Sequence, residues 1–204
     1  SMQKELDSLN RKSINVEPNI TQASMIGPSP PTLETDPADL SPEQQHDQAI
    51  KHVIDHEDPD LSGRIIDDNK RAILGGSVDA WEIAREKVDG VWQSNYKLNR
   101  HVIQNVLKIR DPAKMKAFVN YFNAKDLDEH LGHIQEGKPA LTPAQIARRR
   151  LLRITPDQTK ALVRWAYDNN LKTLTKSHGF LNKEVYLNNP SLHQLLGDMS
   201  YRHG

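Results

Sequence analysis

Ser77 to Trp92 reads SVDAWEIAREKVDGVW. Val78, Trp81, Ala84, Val88, Val91 and Trp92 recur at spacings of three and four, the period that puts apolar side chains on one face of a helix. Read this way, Ser77 caps a helix running through Trp92, with Gly90 weakening or kinking it at about 1 kcal/mol relative to Ala. Gly75-Gly76 closes an earlier helix carrying Leu61, Ile65, Ile66, Asn69 and Ile73. On this reading no alternating strand and no Asn-Gly or Asp-Gly hairpin interrupts the chain, and the fold class is all-α.

The flanking sequence extends the pattern. Leu40-Ser41-Pro42-Glu43-Gln44, Leu141-Thr142-Pro143-Ala144-Gln145 and Ile154-Thr155-Pro156-Asp157-Gln158 share one device. A hydroxyl accepts from an otherwise orphaned N–H, and proline fills the position whose N–H has no partner. No similarity continues downstream, so these are three separate helix starts rather than a repeat. The first helix carries Ile50, Val53 and Ile54. Asn99 caps one with Val102, Ile103, Val106 and Leu107, and Asp111-Pro112 starts one with Met115, Phe118, Val119 and Phe122. Asp126 caps a short one through Ile134, ended near Gly137. The helix from Thr155 carries Leu162, Trp165 and Ala166 and fades at Asn169-Asn170. Leu171–His178, and segments capped by Asn182 and Ser191, read as further short helices. Short connections favour a compact bundle of many short helices over a coiled coil.

Pro18, Pro28, Pro30, Pro31 and Pro37 stand among Ser, Thr, Asn and Gly ahead of these signals. The expected organisation is therefore a flexible, Pro-rich arm over 1–40 and a helical domain over 41–204, with sub-bundles at 41–136 and 140–204.

Composition narrows the chemistry. The chain has 204 residues, no cysteine, and 27 basic against 27 acidic residues. Cysteine-based zinc sites, thiolate nucleophiles and disulfides are excluded, and no whole-chain field favours nucleic acid or an anionic membrane. No apolar run is long enough to span a bilayer. Ser1 ahead of Met2 reads as the remnant of a tag, which leaves open whether a natural targeting segment was cut away. The expected setting is soluble, either cytoplasmic or delivered into a host cell.

Three groups of residues merit a site reading. His52 and His56 share a helix face, and Glu43 with His46 matches half of a di-iron ligand pair; the plainer reading is a solvated polar face. Glu129, His130 and His133 sit near a helix end, where a cationic histidine is favourable. Arg148, Arg149, Arg150 and Arg153, with Lys160 and Arg164, form a basic run between two capped helices, as a nucleic-acid-binding domain would. Consecutive arginines, however, fan around a helix. Trp81, Trp92, Trp165, Phe118, Tyr121 and Phe122 have core spacing, whereas Tyr96, Tyr186 and Tyr201 read as exposed contacts. No catalytic residue, metal site or cofactor is assigned.

Trp92, Ile103-x-x-x-Leu107-x-Ile109 and Tyr121 resemble the WY module of oomycete host-targeted effectors over about 30 residues. That resemblance implies a small helical bundle in which a Trp and a Tyr on different helices pack together. It also implies binding of host proteins without catalysis. Arg150-Leu151-Leu152-Arg153 has the letters of that family's export signal, which belongs near the N-terminus.

The leading expectation is a non-enzymatic protein–protein interaction module, effector or accessory in kind, with a protein partner. The alternatives are a nucleic-acid-binding helical domain using the basic run, and a metal-dependent or acid–base hydrolase assembled in space from Glu and His.

Overall fold

The computed structural model describes residues 39–177, which belong to a compact unit spanning Asp36–Gly204. All but the last two residues of the expected arm, the helices placed at Asn182 and Ser191, and Tyr186 and Tyr201 lie outside the described residues. Seven α-helices are described: α1 (Pro42–Glu57), α2 (Ala80–Ile83), α3 (Tyr96–His101), α4 (Pro112–Asn123), α5 (Leu127–Leu131), α6 (Pro143–Leu151) and α7 (Pro156–Ser177). Between them lie two antiparallel hairpins, β1 (Ile66–Asp67) with β2 (Ala72–Ile73), and β3 (Arg85–Val88) with β4 (Val91–Ser94). The all-α expectation is thus overturned: the described residues are mixed α and β, with helices predominating.

The long helix expected from Ser77 does not form. Only Ala80–Ile83 is helical, capped by Asp79. The chain then reverses at Asp89 and Gly90, whose φ values of 50° and 81° are both left-handed. That pair is what a tight two-residue hairpin turn demands. Register follows as Val88↔Val91, Lys87↔Trp92, Glu86↔Gln93 and Arg85↔Ser94. The helix expected from Leu61 also fails. Asp68 Oδ1 accepts from the N–H groups of Lys70 (2.7 Å) and Arg71 (2.8 Å). This side-chain turn competes with helical hydrogen bonding and sets Ile66 opposite Ile73.

All three proline-led starts form. In each, the hydroxyl of Ser41, Thr142 or Thr155 accepts from the backbone N–H three residues on, and the glutamine there returns a bond. These are reciprocal capping boxes. Two also work as tertiary latches. Gln145 Nε2 donates to the Glu129 carbonyl (3.1 Å), and Gln158 Nε2 to the Leu107 carbonyl (2.8 Å). Three boundaries differ from expectation. Asn95, not Asn99, caps α3, and a π-helical turn over Val102–Val106 continues it. Helix α5 stops at Leu131 because Gly132 has φ 67°. Helix α7 runs unbroken through Asn169-Asn170 to Ser177.

One apolar core joins these elements. Ile50, Val53 and Ile54 of α1 meet Leu162, Val163, Ala166 and Tyr167 of α7; Phe118, Tyr121 and Phe122 of α4 complete it with Val102, Leu107 and Leu131. Asp58 is a buried carboxylate that organises one end. It accepts from Ser62 N (3.0 Å), Gly63 N (3.5 Å) and Gly76 N (3.2 Å), so backbone donors meet its oxygens, with no cationic partner among the described residues.

Candidate functional site

The second hairpin is held at its base and bare at its tip. Asn95 N donates to the Ala84 carbonyl (2.8 Å). The Arg85 guanidinium donates to the carbonyls of Phe122 (3.2 Å) and Ala124 (3.0 Å) and stacks 3.7 Å above the Trp81 ring. Trp81 Nε1 donates to the Ala124 carbonyl (2.9 Å), and its backbone N–H donates to the buried Tyr121 hydroxyl (3.2 Å). Burial pushes the Tyr121 hydroxyl well above its ordinary pKa and lowers that of Arg85. Beyond this anchor Val91 and Trp92 are 65% and 64% exposed. A two-stranded ribbon has no second layer to bury either face.

Helix α3 follows the ribbon directly, because Asn95 Oδ1 accepts from Leu98 N (3.0 Å) and turns the chain into it. Between α3 with its π turn and α4 runs a groove of about 320 Å³, lined by Tyr96, Asn99, Ile103, Met115, Val119 and Phe122 among others. Tyr96, at its edge, is 74% exposed. Asn99 is buried in its wall. The Asn99 amide nitrogen donates to Ser94 Oγ, while its Oδ1 accepts nothing among the described residues. A buried acceptor left unmet costs about 1–3 kcal/mol.

Tyr96 is exposed as expected, but Trp92, assigned to the core, is not there. Trp92 lies on β4 in solvent while Tyr121 is fully buried, so the Trp–Tyr packing implied by the effector resemblance does not occur. No spacing rule singles out Asn99 or the groove. The two helices that frame the groove come together only through the core.

The histidines and glutamates do not converge. Among the described residues no group of three His, Asp or Glu side chains is arranged to hold a metal ion. His46 Nε2 lies 2.7 Å from Asp168 Oδ1, and its ring meets Tyr167 edge-on. His52 and His56 pack ring against ring at 4.5 Å. His133 is buried and its Nε2 bonds to the Asp68 carbonyl (2.7 Å), latching α5 to the first hairpin. Burial, with the neighbouring Arg148 charge, lowers the His130 pKa.

The basic run is divided among different tasks. Arg149 is internal: it bonds both oxygens of Asp67 and the carbonyls of Leu131 (2.7 Å) and Gly132 (2.9 Å). Arg148 donates to the His130 carbonyl (2.9 Å), Arg153 to the Ser62 carbonyl (3.3 Å), and Arg164 pairs with Asp47. Arg150 and Lys160 are exposed. Arg149 is thereby withdrawn from any shared basic surface.

No helix among the described residues is long and apolar enough to cross a membrane. Comparison with protein-family models, with curated proteins and with solved structures finds no match to this chain.

Proposed function

We propose that this protein is a non-enzymatic protein-interaction module whose contact surface is the β3–β4 ribbon and the apolar groove beside it. One observation carries the reading: Tyr96, 74% exposed, lines an apolar groove between α3 and α4, and Trp92 stands 64% exposed on β4, the strand that leads into α3. Exposed aromatics at a concave apolar surface are the usual anchors of a protein interface. An effector or accessory role, acting on a partner protein, accords with this reading.

The test compares crosslinked captures by the natural chain with those by Trp92→Ser and Tyr96→Ser. Both side chains lie in solvent, so melting temperatures are expected to match. Loss of a captured protein in both variants supports the proposal. Equal capture by all three chains, or no specific capture alongside measurable turnover of a substrate, overturns it.

A further inference from the structure

A hollow of about 710 Å³ opens where α6 hands over to α7. Arg64, Lys114, Arg150 and Arg153 line it, against one carboxylate, Asp60. The four cations come from separate places: the loop after α1, the first turn of α4, the last turn of α6, and the α6–α7 junction. No carboxylate pairs with any of them among the described residues. Arg153 uses only its Nε, on the Ser62 carbonyl. Thr155 and Pro156, at the capped start of the 22-residue helix α7, also line the hollow.

This wall is built before any ligand arrives. Asp58 clamps Ser62 and Gly63, and Ile154 N donates to the Gly63 carbonyl (2.9 Å). The loop bearing Arg64 is thereby tied to the α6–α7 junction that carries Arg153. In a chain whose formal charge is zero, a fourfold cationic concavity concentrates field that its own carboxylates do not cancel. Guanidinium forks match the paired oxygens of phosphate.

From these features we infer that the hollow binds a compact anion carrying two or more phosphate groups. Its volume is of small-molecule scale. A long nucleic-acid track is less well served, because Arg149 and Arg164 are committed to carboxylates and Arg148 to the His130 carbonyl.

Titration calorimetry of the full chain with sodium pyrophosphate and tripolyphosphate at low ionic strength tests this. The expected result is saturable one-to-one binding that weakens at 150 mM salt. Arg64→Gln combined with Arg150→Gln weakens it at least roughly tenfold. Lys160→Gln, which removes an exposed cation that does not line the hollow, leaves it unchanged. Asp60→Asn, which removes the opposing charge, tightens it and so reads the site even if the double variant folds poorly. Absence of saturable binding overturns the inference, as does equal weakening by Lys160→Gln. Binding of a single-stranded oligonucleotide that pyrophosphate does not displace also overturns it, in favour of an extended nucleic-acid surface.

Discussion

Arg149 closes on Asp67 with two hydrogen bonds of 2.7 and 2.8 Å, joining positions 82 residues apart. Both side chains are largely buried, at 11% and 14% exposure. Arg149 gives two further donors to the carbonyls of Leu131 and Gly132 at the end of α5, so one guanidinium ties the first hairpin, α5 and α6 together. Removing one partner of a buried pair strands the other, at about 3–5 kcal/mol. Arg149→Ala is expected to lose stability of that order in denaturant melts.

The same pair sets an acid response. Burial alone raises the Asp67 pKa, but hydrogen bonds from Arg149 and from the Ile134 N–H, with the Arg149 and His133 charges, more than offset it and hold it below 3.8. A depressed carboxyl favours the folded state above its unfolded pKa, and that contribution fades as pH falls through the folded value. Asp67→Asn should therefore flatten the loss of stability below about pH 4, measured by urea melts across the acid range. An unchanged acid limb would count against this account.

Asp79 responds in the opposite sense. Burial outweighs the Glu82 N–H and Arg71 and raises its pKa to about 6. The folded state then binds the proton more tightly than the unfolded one, and stability falls as pH rises from about 4 to about 6. Asp79→Asn, which retains an acceptor for the cap, is expected to stabilise the fold at pH 7.5. The gain should vanish near pH 4. Thermal melts at both values check the sign.

Two left-handed glycines separate conformational cost from collision. A Cβ on Gly63 (φ 63°) would stand 1.9 Å from the Ile154 carbonyl oxygen, whereas one on Gly137 (φ 80°) meets nothing within 4 Å. Gly137→Ala should cost about 1–2 kcal/mol, the left-handed penalty alone. Gly63→Ala should cost clearly more, because backbone must move. Equal losses in denaturant melts would contradict the packing of Gly63 on Ile154.

Trp81 and Trp92 should part company in the same assay. Trp92→Ser is expected within about 0.5 kcal/mol of the natural chain, as for an exposed site. Trp81→Ala loses a hydrogen bond to Ala124, the stacked Arg85 and buried ring area. It should cost about 3 kcal/mol or more.

Five helix beginnings were legible in the residue order because a side-chain cap closes within four residues. Ser41, Thr142, Thr155, Asp111 and Asp126 each accept the bonds their local sequence predicts. Asp89-Gly90 is also a local signal, and a strong one for a hairpin. It was hidden by the three- and four-residue spacing of Trp81, Ala84, Val88, Val91 and Trp92, which suits a helix equally well. Periodicity predicts a helix only if a core receives the stripe. Here the core takes Ala80 and Ala84, with Trp81 packed against it, and leaves Val91 and Trp92 in solvent.

Side-chain destinations were beyond the residue order altogether. The arginine run is continuous along the chain, yet Arg149 turns inward to Asp67 while Arg150 joins Arg64 and Lys114 at a surface hollow. Those partners are distant in sequence and meet only after the core has formed. Composition and short-range hydrogen bonding therefore specified the caps, the absence of thiol chemistry and the charge balance. Long-range packing alone decided which apolar stripe was buried, which cations were neutralised and where concave surfaces arose. The free energy of those choices depends on groups that the local sequence does not contain.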